Sequence, residues 1–181
     1  RYYLLHLVSL ALALFSKENA VSLVVVCFIY MRLIEKRKLF IREIYVAAGW
    51  LIALALWFAL RHIAFQNPLR ITIGEMTGFL ITNSIVIVQY IGRVFWPFNL
   101  SVWPTIQDSQ WIPGVWAIVI LIVLLYFSKG KRMNYVYFGA AWFILFLLPA
   151  LIRPSTGISG VFSNTRIYLS MAGVLIILAE T

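Results

Sequence analysis

Apolar residues in this chain come in long blocks, not at alternate positions, and short polar segments separate the blocks. A bilayer core about 30 Å thick takes about 20 apolar residues in helical form. Six blocks approach that length, at about Tyr2–Phe15, Ala20–Met31, Ile44–Ala64, Thr77–Trp96, Pro113–Phe127 and Tyr135–Ile152. A seventh begins near Ile167 and runs to Ala179. Neither strand-like alternation nor a repeat at solenoid spacing competes with this signal. The pattern predicts an all-α, polytopic transmembrane helical bundle, with residues 1–181 forming a single membrane domain.

The polar segments predict an orientation. Arg32, Lys36, Arg37, Lys38 and Arg42 follow the second block, and Lys129, Lys131 and Arg132 follow the fifth. Short loops rich in Lys and Arg stay on the cytoplasmic side. Both clusters are cytoplasmic only if one of the three blocks between them does not cross. The fourth block is the best candidate, because it carries Thr82, Asn83, Ser84, Gln89, Tyr90 and Arg93. On one continuous helix Thr82, Gln89 and Arg93 share a face, and unpaired polar groups cost several kcal/mol each in hydrocarbon. About six spans plus one interfacial or re-entrant helix is therefore expected. The alternative is an ordinary span whose polar face is buried against neighbours. With the fourth block not crossing, Ser16–Asn19, about Gln66–Glu75, Trp96–Ile112 and Arg153–Thr165 share the extracytoplasmic face.

Composition sharpens the class. The 181 residues are 63% hydrophobic and 12% charged, with a mean hydropathy of +0.94. Water-soluble domains carry about 25% charged residues, so the solvent for this surface is lipid. A net charge of +9 would suit nucleic acid, but the cations lie between apolar blocks, where they orient helices. No nucleic-acid partner is expected; the bilayer is. Cys27 stands alone and reads as a small apolar residue. The chain opens on Arg1 inside an apolar pattern, with no initiator Met or signal peptide, and so reads as a fragment of a longer protein.

Three polar stretches could carry chemistry. In Ser16-Lys17-Glu18-Asn19 the adjacent charges would diverge by about 100° on a helix, so each needs another partner. Lys17 could meet a phosphate as a compact point charge, or both could simply snorkel to the interface. The stretch Phe95–Trp111 holds three tryptophans and two prolines. It is either an aromatic interfacial loop or a substrate-facing one with Asn99, Ser101 and Asp108 as polar contacts. Asn99-Leu100-Ser101 also fits a glycosylation acceptor, which so close to a membrane reads as coincidence. In Leu151–Gly173, Arg166 falls in the first turn of a helix, where a cation opposes the helix dipole. It either snorkels outward or binds an anion, and its fork suits phosphate.

Other chemistries find little support. His6 and His62 are far apart, and no metal-ligand cluster, catalytic triad, P-loop or dinucleotide fingerprint is present. Asp108 is the sole aspartate, so paired carboxylates would need a partner from elsewhere.

Three segments in order resemble the multi-spanning GT-C glycosyltransferases, in particular the O-mannosyltransferase branch with tetratricopeptide repeats and related bacterial proteins. They are Ser16-Lys17-Glu18-Asn19-Ala20-Val21, Phe95-Trp96-Pro97-Phe98-Asn99-Leu100-Ser101-Val102 and Thr165-Arg166-Ile167-Tyr168-Leu169-Ser170. The family's glutamate before the arginine is Thr165 here, and its proline is replaced by Ser170 or lost. The resemblance implies a sugar moving from a polyprenyl- or dolichyl-phosphate-linked donor to an acceptor protein or glycan at the extracytoplasmic face. It implies that Lys17 and Arg166 hold the donor phosphate, with Tyr168 donating a hydrogen bond nearby. Glu18, Asn99, Ser101 and Asp108 become substrate contacts, and the catalytic acid is expected upstream of Arg1. No cofactor is dictated, and a divalent metal is left open. The membrane would be a bacterial inner (plasma) membrane or that of the ER. A lipid-linked-sugar transporter or flippase and an O-antigen polymerase or ligase are the competing readings. The six acidic residues all fall near block ends, which disfavours ion-coupled transport.

Overall fold

The computed structural model describes residues 2–36, 41–64, 72–97, 110–152 and 167–181. Among them, eight α-helices and one short 3-10 turn make up the fold. Helix α1 is Tyr2–Ser16; a 3-10 turn, Glu18–Ala20, leads into α2, Val21–Leu33; α3 is Ile41–Ala64. Then come α4 (Ile73–Thr82), α5 (Ile85–Phe95), α6 (Ile112–Phe127), α7 (Met133–Leu151) and α8 (Ile167–Leu178). No described residue lies in a strand. Large apolar side chains such as Leu51, Ile52, Trp116, Ile122 and Leu175 are exposed. Exposing them to water would cost about 25 cal/mol per Å², and hydrocarbon removes that cost.

Fewer helices qualify as membrane spans than the block pattern predicts. Two described segments, Glu43–Ala64 and Met133–Leu151, are long and apolar enough to cross a bilayer. The bent pair α4–α5 makes a third if it is one span. The expected six spans are not matched, and the reason is length. Helices α1, α2, α6 and α8 have 15, 13, 16 and 12 residues, or roughly 18–24 Å at 1.5 Å per residue. These helices are about as short as the apolar blocks that form them.

The chain divides into two compact units, Arg1–Arg70 and Ile71–Thr181. In the first, α1 packs on α3. Tyr3 Oη donates to the Tyr45 carbonyl at 2.7 Å, Trp50 Nε1 donates to His6 Nε2 at 2.8 Å, and Arg61 meets Glu18 at 2.7 Å. These partners are 42, 44 and 43 residues apart. A nearly constant offset means that α1 and α3 run parallel, with α2 providing the return. Leu10, Leu14, Ala20, Trp50 and Trp57 form the unit's core.

In the second unit, α7 and α8 pair 132 with 180, 139 with 173 and 142 with 169, the descending register of antiparallel helices. Gly139 and Gly173 face each other there, and Gly92 of α5 faces Gly114 of α6. Small residues let helix backbones close in, which is how helices associate where lipid offers no hydrophobic driving force. Val86 and Tyr90 of α5, Phe143, Leu147 and Leu151 of α7 and Val174 of α8 form the core.

The fourth block is two helices. The axis bends by 44° between α4 and α5, which changes its direction without reversing it. Asn83 at the break is fully buried and donates from Nδ2 to the Leu151 carbonyl at the end of α7, at 2.8 Å. The break also separates residues that one helix would have aligned. Thr82 is exposed and donates to the Gly78 carbonyl, whereas Gln89 is buried. Thr82, at the end of α4, is cut off from the expected shared face, while Gln89 and Arg93, four apart on α5, keep theirs. Helix α4 starts on a capping box: Thr72 Oγ1 accepts from Glu75 N, and Glu75 Oε2 accepts from Thr72 N at 2.7 Å. Glu75, expected in a loop, is therefore helical. Thr72→Ala should cost about 1 kcal/mol of helix stability, read as a lower Tm of the detergent-solubilised protein; an unchanged Tm would mean that the box is not a support.

Candidate functional site

The turn bearing Lys17 is built from backbone outward. Helix α1 ends where Lys17 N donates to the Ala13 carbonyl at 3.0 Å, and Ser16 Oγ donates to the Leu12 carbonyl at 2.8 Å. Lys17 then turns extended, with φ −155° and ψ 131°. Its carbonyl accepts from Ala20 N at 3.0 Å, closing the 3-10 turn. The Lys17 side chain is exposed, while Asn19 and Ala20 are buried.

Glu18 has a specific partner. Arg61 Nη2 donates to Glu18 Oε2 at 2.7 Å, with both side chains about one-third exposed (39% and 31%). The Arg61 guanidinium also lies over the Trp57 ring, 5.1 Å from its centroid. Trp57 is one helical turn earlier on α3 and is buried in the core. Reading the sequence for site residues missed Arg61 and Trp57. The signal available was their spacing of four, which places a cation over an aromatic ring on one helix face.

An apolar groove of about 620 Å³ lies between α1 and α3 of the same unit. Tyr3 and Tyr45 line one end, and Leu14, Phe15 and Leu56 line the end beside the turn. A smaller recess of about 200 Å³ lies between α1, α2 and α3, lined by His6, Ser9, Cys27 and Trp50 among others. Because Nε2 of His6 accepts the Trp50 hydrogen bond, a neutral ring carries its proton on Nδ1.

Tyr168 belongs to the second unit, where it is 72% exposed. The α7–α8 register sets it beside about residue 144, roughly 18 Å along the axis from the Arg132 end. It is therefore level with the middle of α7, not with its far end. Arg166, Asn99, Ser101 and Asp108 lie outside the described residues. Lys17 and Glu18 are thus the two expected site residues that share one described turn.

At the Arg132 end, the basic loop after α6 is tied down. Glu180 accepts from Arg132 Nη2 at 2.6 Å and from Arg132 N at 3.0 Å, and its own carbonyl accepts from Ser128 Oγ at 2.9 Å. Lys131 donates to the Leu125 carbonyl, capping the end of α6. Gly130 turns the loop at φ 84°, a conformation that favours glycine. Hydrogen bonds from the Arg132 side chain and backbone hold the Glu180 carboxyl below the ordinary carboxylate range. Arg132, expected only as an orientation charge, is also a structural clasp.

Among the described residues, no three of His, Cys, Asp and Glu come together in a way that could hold a metal ion. The Lys17 turn places an exposed lysine and the Glu18–Arg61 ion pair at the end of an apolar groove. No protein-family model, curated protein or solved structure matches the chain.

Proposed function

We propose that this chain is part of a lipid-phosphate-sugar-dependent glycosyltransferase. It moves a sugar from a polyprenyl- or dolichyl-phosphate-linked donor to an acceptor protein or glycan at the extracytoplasmic face of a bacterial inner membrane or the ER. The supporting observation is the setting of Lys17, an exposed cation at the joint of two apolar helices. As the sugar leaves, charge grows on the phosphate, and a cation already in place stabilises it without reorganisation. The three ordered segments that resemble GT-C enzymes support the same reading. In it, Lys17 and Arg166 hold the phosphate, Tyr168 donates nearby, and Glu18, Asn99, Ser101 and Asp108 line the substrate side. The general base comes from upstream sequence. The shorter apolar helices also sit in hydrocarbon, with the bilayer thinned around them, which completes the polytopic core.

The test uses the full-length enzyme. Arg166→Ala should abolish sugar transfer without loss of membrane insertion, and Arg166→Lys should recover part of it, since the fork is lost. Lys17→Ala should raise the KM for the lipid-linked donor by about tenfold, ~1.4 kcal/mol of binding. Transfer within about threefold of wild type in both alanine variants, under ~1 kcal/mol, would overturn the reading.

One observation favours a second reading, a lipid-linked-sugar flippase. Transporters build sites at discontinuous helices, and α4–α5 is broken at a buried Asn83. Asn83→Leu should then stop translocation of a fluorescent polyprenyl-linked sugar across vesicles; unchanged translocation would remove that alternative.

A further inference from the structure

The short loop Ser128–Arg132 joins α6 to α7, where the Met133–Leu151 span begins. It carries three cations, Lys129, Lys131 and Arg132. Among the described residues, Glu180 is the carboxylate that meets them. It takes Arg132 at 2.6 Å, and that guanidinium also lies over the Tyr135 ring, 4.2 Å from its centroid. Lys131 is held differently, by donating to the Leu125 carbonyl. A neutral carbonyl orients an ammonium without cancelling its charge, and an ammonium has three donors to give. Lys129 is exposed. Three cations against one carboxylate leave the loop with two positive charges in excess.

The loop's depth follows from what flanks it. Tyr126 and Phe127, the last residues of α6, are both exposed, with ring centroids 5.3 Å apart. Tyrosine settles at the membrane–water boundary, so the residues that follow stand level with the lipid headgroups. The backbone there is fixed. Gly130 turns it at φ 84°, Lys131 ties it to the end of α6, and Arg132 ties it to Glu180 after α8. A loop already held in place loses little freedom when it binds.

We propose that the Ser128–Arg132 loop binds the phosphate of an anionic phospholipid, with Lys129 and Lys131 as its contacts. Arg132 secures the loop, and its charge is met by Glu180. A lipid is favoured over a soluble anion because the loop joins two apolar helices, and bilayer phosphates are the anions found at its depth. Each cation near an anionic membrane surface adds about fivefold to affinity. This site is separate from the Lys17 turn, and it stands whether or not the protein transfers sugars.

The experiment uses the full-length protein in phosphatidylcholine nanodiscs. These carry a trace of phosphatidylglycerol with a photoreactive group near its head or, in parallel, phosphatidylcholine with the same group. Cross-linked peptides are identified by mass spectrometry. The Tyr126–Tyr135 region should be labelled at least about fivefold more by the anionic lipid. Lys129→Gln with Lys131→Gln should bring that excess to within about twofold of the phosphatidylcholine level. Glutamine keeps an N–H that can still reach the Leu125 carbonyl, so the substitution removes charge and spares the tie. Lys129→Arg with Lys131→Arg should keep the excess. In the unaltered protein, raising NaCl to about 0.5 M should remove most of it by screening, with no change to the fold. Equal labelling by the two lipids overturns the proposal. So does an excess that survives the glutamine pair or the added salt, or one that the arginine pair abolishes.

Discussion

Gly173→Ala is expected to disrupt the α7–α8 pairing, whereas Gly78→Ala leaves the protein at least as stable as before. A methyl on Gly173 would meet the backbone nitrogen of Phe143 at 2.6 Å and its Cα at 3.0 Å. One on Gly139 would meet the Gly173 carbonyl oxygen at 2.6 Å and Ile177 Cγ1 at 2.8 Å. The atoms in the way are mostly backbone, so no rotamer change relieves the clash and the helices must move apart. Overpacking of this kind costs roughly 1–3 kcal/mol. In lipid the loss falls on van der Waals contact, the main force that holds helices together there. Gly92→Ala is expected to act alike on α5–α6, because its methyl would lie 2.6 Å from Gly114 N. A methyl on Gly78 meets nothing within 4 Å, and alanine favours helix over glycine by about 1 kcal/mol. Thermal unfolding of the detergent-purified protein checks this. Equal Tm values for Gly173→Ala and Gly78→Ala would mean that the glycine crossing is not a close backbone contact.

Glu180→Gln is expected to lower Tm by several degrees and to flatten the acid limb of the stability profile. Glu180 is almost fully buried at 6% side-chain exposure, while Arg132 stays 65% exposed. The carboxylate therefore depends on Arg132 for its charge compensation. The folded-state pKa of Glu180 lies below its ordinary value, chiefly through the Arg132 side-chain hydrogen bonds. The unfolded chain therefore binds the proton more readily than the folded one. Stabilisation by the clasp is in full force above the ordinary carboxylate range and is lost as pH falls through the lower, folded value. Tm followed from about pH 7 to about pH 3 should drop more steeply in wild type than in Glu180→Gln. Parallel curves would show that another carboxylate governs the acid limb. Arg132→Gln should reproduce the lowered Tm, because it leaves a buried carboxylate without its cation.

Several local features were legible in the sequence. The helical class follows from unbroken apolar blocks. The Thr72–Glu75 spacing is a capping-box signal that correctly read would have begun α4 before Thr77. The Trp57–Arg61 spacing places ring and cation on one face. The number of spans was not legible, because blocks shorter than a bilayer needs, such as Ala20–Met31, look like spans by hydropathy but fold into helices of about their own length. The shared face of Thr82, Gln89 and Arg93 presumed a continuous helix, and only the tertiary bond from Asn83 to the end of α7 stands at the position where that helix breaks.

By itself the sequence determined what kind of solvent the surface requires, where helices can start, and that Lys17 and Glu18 sit together between apolar helices. These depend on side-chain chemistry and on spacings within one turn, both of which are local. Only the tertiary structure decided that Glu18 belongs to Arg61, that Arg132 belongs to Glu180, that Gly139 finds Gly173 and that Gly92 finds Gly114. Such pairings depend on helix direction and register, and a charge or a glycine carries no mark of its distant partner until the backbones are packed.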